Sequence, residues 1–98
     1  IGHSHLPTIF TLQDDEKEAK LIVPEKNKKK QLKPRTIINP GSVGQPRDRD
    51  PRAAYAIFNK KKNTVDFRRV AYDIKDVQDR MRKVNLPSRH IERLIEGW

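Results

Sequence analysis

Two histidines separated by a single residue, in Gly2-His3-Ser4-His5, are the side chains of this sequence best suited to chemistry. On an extended backbone such a pair projects to one side with Cα atoms roughly 6.5–7 Å apart. Two imidazoles placed that way can converge on one metal ion or grip two adjacent ions. Gly2 permits a close approach or a sharp turn, and Pro7 stiffens the exit through Leu6-Pro7. Standing alone, an H-x-H pair is a weak signal, more often the mark of two solvated surface residues than of a metal site. The chain has no cysteine, which removes disulfides, thiolate zinc sites and thiol catalysis together. A metal would therefore be held by His, Asp, Glu or Asn, ligands suited to hydrolytic sites.

A second constellation lies downstream, in Ile37-Ile38-Asn39-Pro40-Gly41-Ser42-Val43-Gly44-Gln45-Pro46-Arg47, followed by the strand-like Ala53-Ala54-Tyr55-Ala56-Ile57-Phe58. Pro40 presets φ and Gly41 supplies a positive φ, as a tight turn requires. Asn39, Gly41 and Ser42 read as structural support, a turn propping the histidine loop from a neighbouring strand. Arg47 has two readings. Its guanidinium can bind a phosphate oxygen bidentately beside a metal pair, or it can join a surface ion-pair lattice with the alternating charges through Arg52.

Taken in this order, the GHSH tetrad, the INPGSVGQPR turn and the following strand resemble the C-terminal part of the calcineurin-like metallophosphoesterases. Within them the chain looks most like the small prokaryotic phosphodiesterase and diadenosine-polyphosphatase-like branch. The resemblance continues through Phe67–Asp73 and the closing helices, leaving out the lysine-rich segment around Lys26–Lys33. It implies that His3 and His5 each touch a different ion of a two-metal site, with Mn²⁺ foremost and Ni²⁺, Fe or Zn²⁺ also suitable. It also implies a phosphate-ester substrate. The family's Asp-x-His, Gly-Asp and Gly-Asn-His motifs have no counterpart in the sequence. The resemblance thus implies a C-terminal portion of a larger enzyme, residues 1–98 contributing two ligands and inactive alone. Its partner would be the missing N-terminal part, on the same or a separate polypeptide, and homo-oligomerisation stays open.

The elements that must position these residues are legible in outline. Thr8–Leu12 predicts a strand leaving the histidine loop, 13–16 a polar turn, and Ala19–Val23 a returning strand. Residues 24–35 offer nothing to bury and contain two prolines, which predicts a basic loop or mobile hairpin excursion. Thr36–Asn39 predicts a short buried strand. Ala53–Phe58 and Thr64–Val70 predict two more around the turn 59–63, the last toward an edge with one wet face. Asp73 is a candidate N-cap for a helix with Ile74, Val77, Met81 and Val84 in a stripe. Ser88 would cap a second, with Ile91, Leu94 and Ile95 inward and Gly97 as its stop. The predicted class is α+β, the C-terminal half of a four-layer α-β-β-α sandwich and one side of it, with mostly antiparallel strands backed by two helices over 73–96.

Composition narrows the partners. A 98-residue chain with 34% hydrophobic and 36% charged residues has little with which to build an autonomous core. Its apolar surface then calls for packing against something else. No apolar run approaches membrane-spanning length and no leader is recognisable, so the expectation is a cytoplasmic protein without membrane contact. A net charge of +9 raises nucleic acid as a partner. The alternative to hydrolysis is therefore a small basic nucleic-acid-binding module using the Lys26–Lys33 cluster, though no aromatic stacking platform accompanies it.

Overall fold

Two three-stranded antiparallel sheets face each other across a core of inward-pointing apolar residues. The computed structural model describes residues 1–15 and 17–98. Glu16, expected within the polar turn 13–16, lies outside the described residues. In the first sheet, β1 (Thr8–Thr11) lies between β2 (Lys20–Ile22) and β4 (Thr36–Asn39). In the second, β6 (Thr64–Val70) lies between β3 (Lys29–Gln31) and β5 (Ala53–Asn59). Ile9 stands directly opposite Ile22 and Ile38. These aliphatic side chains meet Val65 and Phe67 of β6, with Leu32 and Ala56 closing the cluster. Each such side chain fully buried contributes about 1.5–3 kcal/mol.

Two expectations are corrected here. The segment 24–35 is not a loose excursion, because Lys29–Gln31 form β3 and pair with β6 as Lys29↔Asp66, Lys30↔Val65 and Gln31↔Thr64. Consequently β6 is the centre of its sheet and not an edge. The segment is held at both ends. The Asn27 N–H donates to the Phe67 carbonyl at 2.7 Å, and the Leu32 N–H donates to the Asn63 carbonyl at 2.9 Å. Gln31 adds amide bonds to the carbonyls of Lys62 and Asn63.

The helices follow the strands, giving the α+β order that the sequence predicts. Asp73 caps α1 (Ile74–Lys83) by accepting from the Asp76 N–H at 3.0 Å. Ile74, Val77 and Met81 are half-buried, whereas Val84 is exposed because it is already the C-cap. In α2 (Ser88–Glu96), Pro87 occupies the cap position and makes no side-chain bond, so Ser88 is the first helical residue and not the cap. Ile91 and Leu94 are buried, but Ile95 is exposed, outside the narrow seam between two short helices. Gln78 crosses that seam to donate to the Ile91 carbonyl at 2.7 Å. The two helices pack on each other. One tie of α2 to the strands is the turn before β5, where the Arg49 N–H donates to the Gly97 carbonyl at 2.9 Å. Gly97, in the left-handed region, has no room for a Cβ there: one would lie 2.6 Å from the Asp50 nitrogen.

Candidate metal centre

The histidine tetrad precedes β1 and is a turn, not the extended segment expected from the H-x-H spacing. The His5 N–H closes back on the Gly2 carbonyl at 3.2 Å, and His5 has φ 60. A non-glycine residue in the left-handed region carries strain, and such positions concentrate at functional sites. His3 is exposed and His5 is half-buried. The His5 Nδ1 lies 2.9 Å from the Gln45 carbonyl. A carbonyl only accepts, so Nδ1 carries the proton and the Nε2 lone pair is left available. Orienting an imidazole through its other nitrogen is how proteins prepare a histidine for metal.

The turn after β4 supplies that carbonyl. Asn39, 2% exposed, donates from Nδ2 to the Ser4 hydroxyl at 2.8 Å and accepts the Gly41 N–H at 3.0 Å. Gly41 has φ 94, and its missing Cβ leaves space that Pro7 and Ala54 fill. Ser42 accepts the Gln45 N–H on its hydroxyl at 2.9 Å and the Ala54 N–H on its carbonyl at 2.9 Å. Gln45 then serves both sides: its carbonyl takes His5, and its side-chain oxygen takes Arg47 Nη2 at 2.9 Å. Arg47 is exposed. The structure thus ties His5 to the same residue as Arg47, and ties Asn39 to the histidine turn through Ser4. Ser4 and Gln45 are the residues the sequence reading missed. A polar side chain enclosed by Gly44 and Pro46 was the available sign for Gln45.

The alternating charges beyond Arg47 have a separate task. Asp50 is 8% exposed and accepts from Arg52 Nε at 3.0 Å, Arg52 Nη2 at 2.8 Å and Lys26 Nζ at 2.6 Å. The Arg52 hydrogen bonds, with Lys26 adding to them against the cost of burial, hold the Asp50 carboxyl well below the usual carboxylate range. Its folded-state value is depressed, so the stability it contributes is complete above about pH 4. That contribution falls away as pH drops through the lower folded value. Asp50→Asn is expected to flatten the acid limb of the melting temperature against pH, and an unchanged limb would refute the assignment.

No family model matches the chain. An uncharacterized protein of Methanocaldococcus jannaschii is 38% identical over 97 residues, covering 99% of this chain and 38% of that protein. The crystal structure of a metallophosphoesterase from Sphaerobacter thermophilus superposes with a TM-score of 0.87 at 42% identity, over 99% of this chain and 40% of that one. This is the fold of the C-terminal part of a metallophosphoesterase. The chain spans about 40% of the length of these relatives. Both matches run through the lysine-rich segment, which the sequence resemblance had left outside.

Two imidazoles, one with its tautomer fixed, suit part of a divalent-metal site. Among the described residues no three of His, Cys, Asp and Glu gather into a group able to hold a metal. A complete ligand set would draw on further residues beyond this pair. Among the described residues, no helix is long and apolar enough to cross a membrane.

Proposed function

We propose that the intact protein is a metal-dependent phosphoesterase, of the small prokaryotic phosphodiesterase type, and that this chain lends it His3, His5 and Arg47. The observation that carries the reading is the His5 Nδ1–Gln45 carbonyl bond, which presents Nε2 as a ligand at a strained turn. The likeness to a metallophosphoesterase at 42% identity supports it. A pair of divalent ions, Mn²⁺ by preference with Ni²⁺, Fe or Zn²⁺ as substitutes, supplies Lewis acidity and an activated water when bound. His3 and His5 hold the ions. Arg47, steered by Gln45, binds a non-bridging phosphate oxygen and offsets charge that develops on it. Asn39, Gly41 and Ser42 fix the distance between the two turns. Substrates of this reading are phosphodiesters or dinucleoside polyphosphates, in the cytoplasm.

The test is a pair of measurements on the intact protein, metal content after purification with Mn²⁺ and hydrolysis of bis(p-nitrophenyl) phosphate. His3→Ala and His5→Ala are each expected to lower both. The loss should exceed the ~10–100-fold that removal of an outer-shell partner typically causes. Full metal content and activity in His3→Ala would sink the proposal.

A further inference from the structure

At the end of β1 remote from the histidine turn, the two sheets part around a cationic cleft. The pair Thr8↔Asn39 marks the histidine end of the first sheet and Thr11↔Thr36 the other end. There a cavity of about 210 Å³ opens between β1 and β2 on one side and β3 with its following loop on the other. Lys20, Lys30 and Lys33 line it, together with Thr11, and among the described residues no carboxylate does.

Strand register explains why these lysines converge. Lys20 stands opposite Thr11, on the face that also carries buried Ile9. Lys30 stands opposite Val65, on the core face of the second sheet. Directly opposed residues share a face, so both lysines belong to the inner sides of the sandwich. Lys33 follows Leu32, which packs against the core. Among the described residues none of the three forms an ion pair, whereas Lys26 pairs with Asp50 and Lys28 with Glu25.

Both β2 and β3 are edge strands, and an inward lysine on an edge discourages pairing with another chain. That role accounts for one charge on each edge. It leaves unexplained a third ammonium on the same cavity.

We infer that this cleft is a binding site for a compact oligophosphate group, held by Lys20, Lys30 and Lys33 and separate from the histidine turn. Ammonium groups bind phosphate oxygens as point charges. The cavity is smaller than the ~300–1,000 Å³ of pockets that enclose drug-sized ligands, so it fits phosphoryl groups and not a whole nucleotide. The oligophosphate is either free or the tail of a nucleotide whose base stays outside. The site stands independently of the proposed hydrolysis.

The test is calorimetric titration of the intact protein with inorganic triphosphate in EDTA, so that the metal centre is silent. Saturable binding is expected, unchanged in His3→Ala and weakened about tenfold in Lys30→Gln, the effect of one lost charged contact. Lys33→Gln, in an exposed loop where folding is not at risk, should weaken it similarly. The Lys20→Gln/Lys30→Gln/Lys33→Gln variant should not bind. Equal affinity for ATP assigns the site to the phosphates alone, and tighter ATP binding assigns it to a nucleotide tail. Absent saturation, indifference to the lysine substitutions, or binding only to long nucleic acid would each overturn the inference.

Discussion

Arg69→Met is expected to destabilise the protein by about 3–5 kcal/mol, the cost of stripping one partner from a buried ion pair. Arg69 lies on β6 opposite Ala54, and its side chain is only 2% exposed. Its guanidinium donates to the carbonyls of Asp50 at 3.3 Å and Arg52 at 3.1 Å. It also pairs with the Asp48 carboxylate, and its Nε stands 3.9 Å from an Asp50 oxygen. Methionine has similar length but no donors, so two backbone carbonyls and the Asp48 carboxylate would lose their partner together. Asp48 already holds one buried oxygen without a partner, which leaves no slack for a second.

The damage should spread along the loop to the helices. Arg49 stacks on the Trp98 ring at 3.8 Å from its centroid, and its N–H anchors Gly97. Trp98 is the only tryptophan, so its fluorescence reports release of the helical pair from the turn. Urea unfolding should show a lowered midpoint in Arg69→Met and an earlier fluorescence change. Arg69→Lys should recover a minor share, since a single ammonium cannot serve two carbonyls and a carboxylate from one position. A midpoint for Arg69→Met within error of the parent would remove Arg69 from the role given to it here.

Arg69 also shows what periodicity can and cannot reveal. Alternation places it on the core face with Val65 and Phe67, yet nothing local says that the loop 47–52 folds over its head. The strands β1, β4, β5 and β6 were legible because β-branched and aromatic residues there alternate or cluster between turn residues. The Asp73 cap was legible because capping is a contact within one turn. The strand β3 was hidden because Lys29-Lys30-Gln31 has no apolar rhythm and owes its place to backbone pairing with β6. At the candidate site, Asn39-Pro40-Gly41 announced a turn from residue type alone. The partner of His5 was not announced, since a backbone carbonyl is the same in every residue and only the fold delivers that of Gln45.

The same turn carries the second large effect. Gly41→Val is expected to cost about 2–5 kcal/mol, combining left-handed strain with overpacking. At φ 94 a Cβ would lie 2.8 Å from the Ala54 Cβ and 3.0 Å from Pro7 Cγ. A β-branched residue is the worst occupant of such a conformation. The two causes can be separated with alanine. Gly41→Ala combined with Ala54→Gly removes the collision between the two Cβ atoms but keeps the strain at φ 94. Residues in contact couple by about 0.5–3 kcal/mol, and a favourable coupling in that range is expected here. The contact with Pro7 remains in the double variant, and Pro7 is two residues from His5. If the proposed function holds, Mn²⁺-dependent hydrolysis by the intact protein should therefore stay depressed in the double variant even where its stability has partly returned. Strict additivity of the two substitutions in urea unfolding would show that Gly41 and Ala54 do not meet. In that case the wall behind the histidine turn is built differently from the one described.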